Sequence, residues 1–545
     1  MRYVTLFFCL FIAGLIINPA VAFSQVTPPP TSPGAQPPGD SLLTVVILPG
    51  VRKLEFRTIN DSTQLQILAG NVALKQGTTF FYSDSCVINN NTKTFEAWGR
   101  VHINDADTTN IYSNHLRYLI DKKIAYLDGA VKLTDGKGIL TTPDLEYDMS
   151  TSIGIYKHGG KVVNKKTILT SKEGYYYGGL RDIYFTNKVV LKDPGYDITT
   201  DSLLYNTESG MVRFITETLI KDSSGRTIET KDGFYNLQTG KAEFGQRPII
   251  RDGKLFITGD RVAFNDSTGV YQGAGNVIII DSVQGTTIIA GEVYGDKKKD
   301  RILATRKPLM IIKQENDSIY VTADTLFSAR LTDLYGKKDS VLKDSVKGTK
   351  VIKADEKDST NRYFEAYRNV RIFSDSLQAV ADSMFYSFKD SIFRLYQDPV
   401  IWAKESQITG DTVLVFTKNK KADHIKVFEN SFMVNRMDPE IYNQIKSTRM
   451  DGFFKEGAID SVRASGFAQS IYYIQDDDSA YTGVNESKSD IIDIYFGNQA
   501  LQKIVFRSTV TGTVWPIKQK QPSEMRLPNF RWLDDRRPKT KYELF

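Results

Sequence analysis

The residues that could do chemistry recur along the chain. Asp84, Asn114, Asp144, Asp201, Asp232, Asp260, Asp324, Asp382 and Asp411 follow one another at about 28 to 32 residues, once Glu173 and Glu292 are admitted as weaker members. The exception is the longer interval from Asp324 to Asp382. Two carboxylates facing each other across one sugar would cleave a glycosidic bond. Here the acids come singly, once per repeat, each before apolar residues and often a turn, which is how turn and bulge residues are placed. No dense Asp/Asn/Gly loop suggests calcium, and Asp476-Asp477-Asp478 reads as a solvated loop. His102, His115, His158 and His424 are scattered, with no H-E-x-x-H or C-x-x-C pair for zinc. Neither a G-x-S-x-G elbow nor a P-loop is present. The expectation is a protein with no catalytic residues, metal or cofactor, and the nine anchors are assigned to bends.

Composition agrees with a large packed protein. The chain has 545 residues, 41% hydrophobic and 11% aromatic, with a formal charge of only +6. Such a mild, dispersed excess argues against nucleic acid as a partner. Residues 1–24 have the form of a cleaved export signal: Arg2, an apolar run from Leu6 to Ile17, and small residues at Ala20-Val21-Ala22. No later stretch approaches the ~20 apolar residues of a membrane helix. Cys9 leaves with the signal, so Cys86 has no disulfide partner and is expected in the core.

The elements that hold the anchors are strands. After a proline-rich linker, residues 25–41, β-branched and aromatic residues alternate with polar ones, and Asp, Asn and Gly fill the turns. Fragments such as ITTDSLLYNTESG and ITGDRVAFNDSTG repeat, interleaved with FEAWGRVHI, AYLDGAVKL and YQGAGNVIII. Apolar positions fall at −3 and −1 before an anchor and at +2 and +4 after it, as in Leu203/Tyr205, Val262/Phe264 and Met384/Tyr386. A straight strand would send those two sets to opposite faces, so a bulge or bend is expected at each anchor. Gly99, Gly129 and Gly275 would bend the intervening strand. The fold expected is all-β: a long repetitive antiparallel jellyroll, an open V-shaped stack of two facing sheets. Its segments are 42–332 and 362–515, divided by a charged insertion at 333–361, with a tail at 516–545. The tail, with Arg536-Arg537-Pro538-Lys539, reads as draped or disordered, or as a docking segment for a partner or acidic head groups.

One face of these strands carries Val72, Leu74, Val101, Ile103, Val131, Leu133, Val189, Leu191, Val277, Ile279, Val370 and Ile372. Periodicity alone leaves two roles open for them, a sealed core or the lining of a lipid groove.

The phrase Gly70-Asn71-Val72-Ala73-Leu74-Lys75-Gln76-Gly77, followed by Asp84, resembles that of the OstA-like periplasmic lipopolysaccharide-transport jellyrolls. Ala381–Tyr386 (ADSMFY) and Ala464–Tyr473 (ASGFAQSIYY) are similar to later phrases of the family, and the likeness runs from about Leu42 to Pro516. In length the chain resembles the large OstA-like proteins of Bacteroidetes-type envelopes, and it lacks the long C-terminal barrel of the outer-membrane translocon. The resemblance implies a non-enzymatic periplasmic protein, peripheral at the outer membrane at most. Its groove would hold the acyl chains of lipid A, the lipopolysaccharide anchor. Its sheet edges would join an inner-membrane transport complex and an outer-membrane translocon barrel by strand addition, and would permit head-to-tail self-association. A β-solenoid or adhesin-like envelope scaffold, and a β-helix polysaccharide lyase, stand as alternatives.

Overall fold

The computed structural model describes residues 45–60, 63–313, 318–335, 360–418, 421–455, 458–476, 478–497 and 500–544. The expected export signal, the proline-rich linker and most of the charged insertion lie outside the described residues. The described residues between 45 and 544 form an all-β stack. Successive strands pair antiparallel, as Thr79–Asn89 does with Thr94–Asp105 and that strand with Thr109–Leu119.

Each pass of the chain bends near its middle. In Thr94–Asp105, Gly99 (φ +77°) and Arg100 (φ +44°) both take the left-handed conformation. Together they stand opposite the single residue Asn114, between the pairs Trp98↔His115 and Val101↔Ser113. Gly70-Asn71 faces Asp84 in the same way, Asn187-Lys188 faces Asp201, and Arg368-Asn369 faces Asp382. The extra residue is therefore on the strand opposite the anchor, and not on the anchor's own strand. A left-handed pair turns the strand sharply, and the added residue restores the side chains beyond it to the inner face. On the anchor's strand the parity does change: Thr79, Phe81 and Ser83 are buried, then Cys86 and Ile88. In the middle of the stack the bend interrupts the strand, as between Lys241–Gly245 and Ile249–Asp252.

The bend divides every layer between two half-sheets whose inner faces meet. One apolar cluster runs between them from Leu68 to Ile494. Fully burying each such Val, Leu or Ile contributes about 1.5–3 kcal/mol, so the interior is the main source of stability. The ladder continues across the insertion: Ser318–Thr322 and Thr325–Ala329 both pair with Tyr363–Phe373.

The C-terminal residues lie draped along the sheet, one of the forms expected for the tail. After the strand Thr511–Pro516 the chain doubles back over the outer face of one half-sheet, through short 3-10 turns at Ile517–Gln519, Asp534–Arg536 and Lys541–Leu544. Outward-facing glutamines hold it. Gln444 Oε1 accepts from Leu527 N (2.8 Å), Gln407 Oε1 from Leu533 N (2.7 Å), and Gln378 Oε1 from Arg537 (2.6 Å). Met525, Leu527 and Leu544 are buried against the sheet. Beyond Pro516 the segment is a strap without regular strands.

Candidate functional site: a cleft into the apolar interior

The half-sheets meet again opposite the bends, where the strand ends and turns of one approach those of the other. A ladder of tyrosines closes this seam. Tyr118, Tyr147, Tyr176, Tyr205 and Tyr235 follow at intervals of 29 or 30 residues, and all are buried. The Tyr118 hydroxyl donates to Gln76 Oε1 (2.6 Å) and Tyr147 to Asp105 Oδ2 (3.0 Å). Asn164 Nδ2 donates to the Tyr205 oxygen (3.0 Å), and Thr207 Oγ1 to Asp135 Oδ2 (3.1 Å). Each bond joins one half-sheet to the other. Burial raises the Tyr118 and Tyr147 pKa values well above the ordinary phenol value, so both stay protonated donors.

The next position in the ladder is Phe264, which has no hydroxyl. There the seam parts. A cleft of about 770 Å³ opens between the turns at 223–226 and 253–254 on one side and those at 266–269 and 297–300 on the other. Its floor is Ile257, Ile279, Ile288 and Met310, with Val262, Phe264 and Tyr271 on the walls. The volume lies in the range of pockets that enclose small ligands.

Charged side chains cross the rim. Arg226 Nη1 and Nη2 donate to the two Asp266 carboxylate oxygens (2.9 and 3.0 Å), and its guanidinium lies 4.5 Å from the Phe264 ring centre. Tyr196 (2.9 Å) and Tyr235 (2.8 Å) donate to Asp266 Oδ2, and their hydroxyls touch each other. Lys297 Nζ reaches Asp252 Oδ2 at 2.5 Å. Burial would raise the Asp266 pKa. The bonds from Arg226 and the two tyrosines outweigh it, and the carboxyl sits below its usual value. Burial likewise disfavours the Arg226 charge, but Asp266 and Asp222 hold it. Burial is also the main cause that pushes Tyr196 up to about 12.

All twelve inner-face residues, Val72, Leu74, Val101, Ile103, Val131, Leu133, Val189, Leu191, Val277, Ile279, Val370 and Ile372, are at most 5% exposed. Of these only Ile279 lines the cleft. The anchors lie together along the ridge of bends. Asp84 takes Arg100 (3.0 Å), Asp144 takes His158 (2.8 Å), and Asp260 takes Asn276 (2.9 Å). Asp324 takes Asn369 (3.0 Å) and Asp411 takes Asn430 (3.2 Å). Asn114 packs under Gly129, Asp201 faces its left-handed pair, Asp232 pairs with Gly245, and Asp382 N donates to Gln397 O. Among the described residues no three His, Cys, Asp or Glu side chains are grouped to ligate a metal. The thiol of Cys86 is buried, which pushes it up to about 12. The rim residues Arg226, Asp266, Tyr196, Asp252 and Lys297 were not singled out from the sequence. The 29-residue tyrosine interval, ending at Phe264, was the available signal.

Residues 44–201 match the model of the OstA-like protein family. This segment is OstA-like. Among solved structures, the chain is similar to LptH from Pseudomonas aeruginosa, described as the LptA-homologous periplasmic component of the lipopolysaccharide transport device. The identity is 13%, over 26% of this chain and 82% of that one, with a TM-score of 0.19. No curated protein matches. The OstA-like segment contains the closed part of the seam down to Asn164, whereas the cleft lies almost wholly beyond it.

Proposed function

We propose that this protein carries the acyl chains of lipopolysaccharide through its interior, across the periplasm towards the outer membrane, without catalysis. The observation that carries the reading is the cleft: a polar-rimmed opening onto an apolar interior that is continuous from layer to layer. The OstA-like segment supports it. Acyl chains cannot cross water unshielded, since each CH₂ taken out of water contributes ~0.8 kcal/mol. The partners proposed are lipid A, an inner-membrane transport complex and an outer-membrane barrel, met through the sheet edges by strand addition. Self-association edge to edge belongs to the same proposal. The acids favour structure over catalysis, because they are spread along the ridge and paired there.

The tight packing of Val72 to Leu191 favours a second reading, an envelope scaffold with a filled core. In-cell photocrosslinking separates the two. A photoreactive residue at Ile279, in the cleft, is expected to capture lipopolysaccharide, and one at the exposed Lys132 is not. Val131 reports whether lipid runs on into the closed layers. No adduct at Ile279 or Val131, from folded exported protein, would leave the scaffold reading.

A further inference from the structure

The two ties across the cleft differ from the rest of the seam in one respect: they are ionic. The side chains facing the cleft include six carboxylates (Asp222, Asp252, Asp266, Asp281, Asp296, Asp300) and six cations (Arg226, Lys254, Lys297, Lys298, Arg301, Arg362), so the rim has no net charge. It cannot attract an anion from afar; it can only trade one anion for another.

The Arg226–Asp266 pair is suited to such a trade. The Arg226 side chain is 10% exposed and that of Asp266 30%. If the pair separates, Asp266 can turn out into water. Arg226 cannot follow readily, because its guanidinium lies against Phe264 with Nε 2.9 Å from Asp222. Its charge is permanent, and although Asp222 stays beside Nε, loss of Asp266 leaves Nη1 and Nη2 without the carboxylate they donate to, which is costly for a buried group. The rim therefore opens at low cost only when a second anion takes the place of Asp266. A phosphate fits, since the guanidinium fork binds it through two parallel bonds as it binds the carboxylate. Lys297, 65% exposed, is free to exchange Asp252 for a second anionic group.

We infer that the cleft is a side port for anionic amphiphiles, opened by exchange of head-group phosphate for Asp266 on Arg226 and for Asp252 on Lys297. This rests on the reading that the interior takes acyl chains. Once the head group holds Arg226, its chains lie over Ile257, Ile279 and Ile288. A neutral amphiphile with the same chains offers Arg226 nothing and leaves the rim shut.

The test uses the purified full chain and neutral phosphatidylcholine vesicles. The vesicles carry either pyrene-labelled phosphatidic acid or the pyrene-labelled diacylglycerol of the same chains. Transfer to the protein is followed by pyrene emission. Loss of a largely buried ion pair weakens binding more than loss of an exposed one. The ratio of phosphatidic acid to diacylglycerol rates is therefore expected to fall about tenfold in Arg226→Gln relative to the native protein. Circular dichroism checks that the variant is folded. A second protein, Arg226→Cys with Asp266→Cys joined by a bismaleimide, is expected to exclude both probes until a cleavable version of the linker is cut. An unchanged ratio in Arg226→Gln, or free entry into the joined protein, overturns the port. If neither probe enters the native protein, the acyl-carrying reading itself fails.

Discussion

At the residue scale, glycine decides how closely the passes approach at the bends. A Cβ on Gly99 would lie 2.5 Å from Asp84 Oδ2, and one on Gly275 2.4 Å from Asp260 Oδ2. The carboxylate thus rests against the left-handed backbone of the next pass. Replacing Gly99 by alanine adds both this clash and the cost of φ +77°. The left-handed conformation alone costs about 1–2 kcal/mol. Urea denaturation of Gly99→Ala should show at least that loss, whereas an alanine at the exposed Gly136, which has open space around it, should cost only the backbone part. Equal losses would remove the packing role of the anchor. The anchors and glycines were legible because each repeats at one position of the unit. The tyrosine hydroxyls were not read. Tyr205 and Phe264 both counted as apolar +4 positions, and the Tyr205 partner Asn164 lies 41 residues earlier, in a different repeat.

At the element scale, period-two alternation gave the strands, their inner face and the change of parity at the anchors, since one face of each half-sheet is buried. The strap escaped that reasoning. Its hold depends on the outward positions Gln378, Gln407 and Gln444, and although the first two share the −4 position before Asp382 and Asp411, nothing in the alternation marks them as ligands of a later segment. Beneath it lie Trp402, Phe432, Val434 and Tyr442, an apolar strip that would otherwise face water. Truncation after Pro516 should expose this strip, with increased binding of a hydrophobic dye and concentration-dependent association. A truncated chain that stays monomeric and dye-free would mean that the strap does not shield it.

For residues 45–544 as a whole, the central question left by the sequence was whether the charged insertion parts two jellyrolls. The pairings Val321↔Ile372 and Leu326↔Ala366 join the layers on its two sides. A protease site engineered within 336–359 tests this. After cleavage the two fragments should stay together through gel filtration and unfold in one transition, because each layer is stabilised mainly by its neighbours. Separation under native conditions would mean two independent bodies. The cleft was illegible for a different reason. It arises where the two half-sheets fail to close, a property of pairs of turns some 40 residues apart in the sequence and not of any local pattern.

The tyrosine ladder has a consequence for how such a chain changes length over generations. Tyr118 and Tyr147 each find an acceptor 42 residues back, and these acceptors, Gln76 and Asp105, are 29 residues apart, as the two tyrosines are. Tandem duplication or loss of one whole repeat therefore keeps such bonds in register. An insertion of any other size within a strand puts the ladder out of step, and is tolerated only in a turn. The charged insertion at 333–361 follows that rule, entering after the strand Thr325–Ala329 and ending before Tyr363–Phe373. Lineages of this protein should accordingly differ in length by whole repeats or by loops, and seldom by anything between.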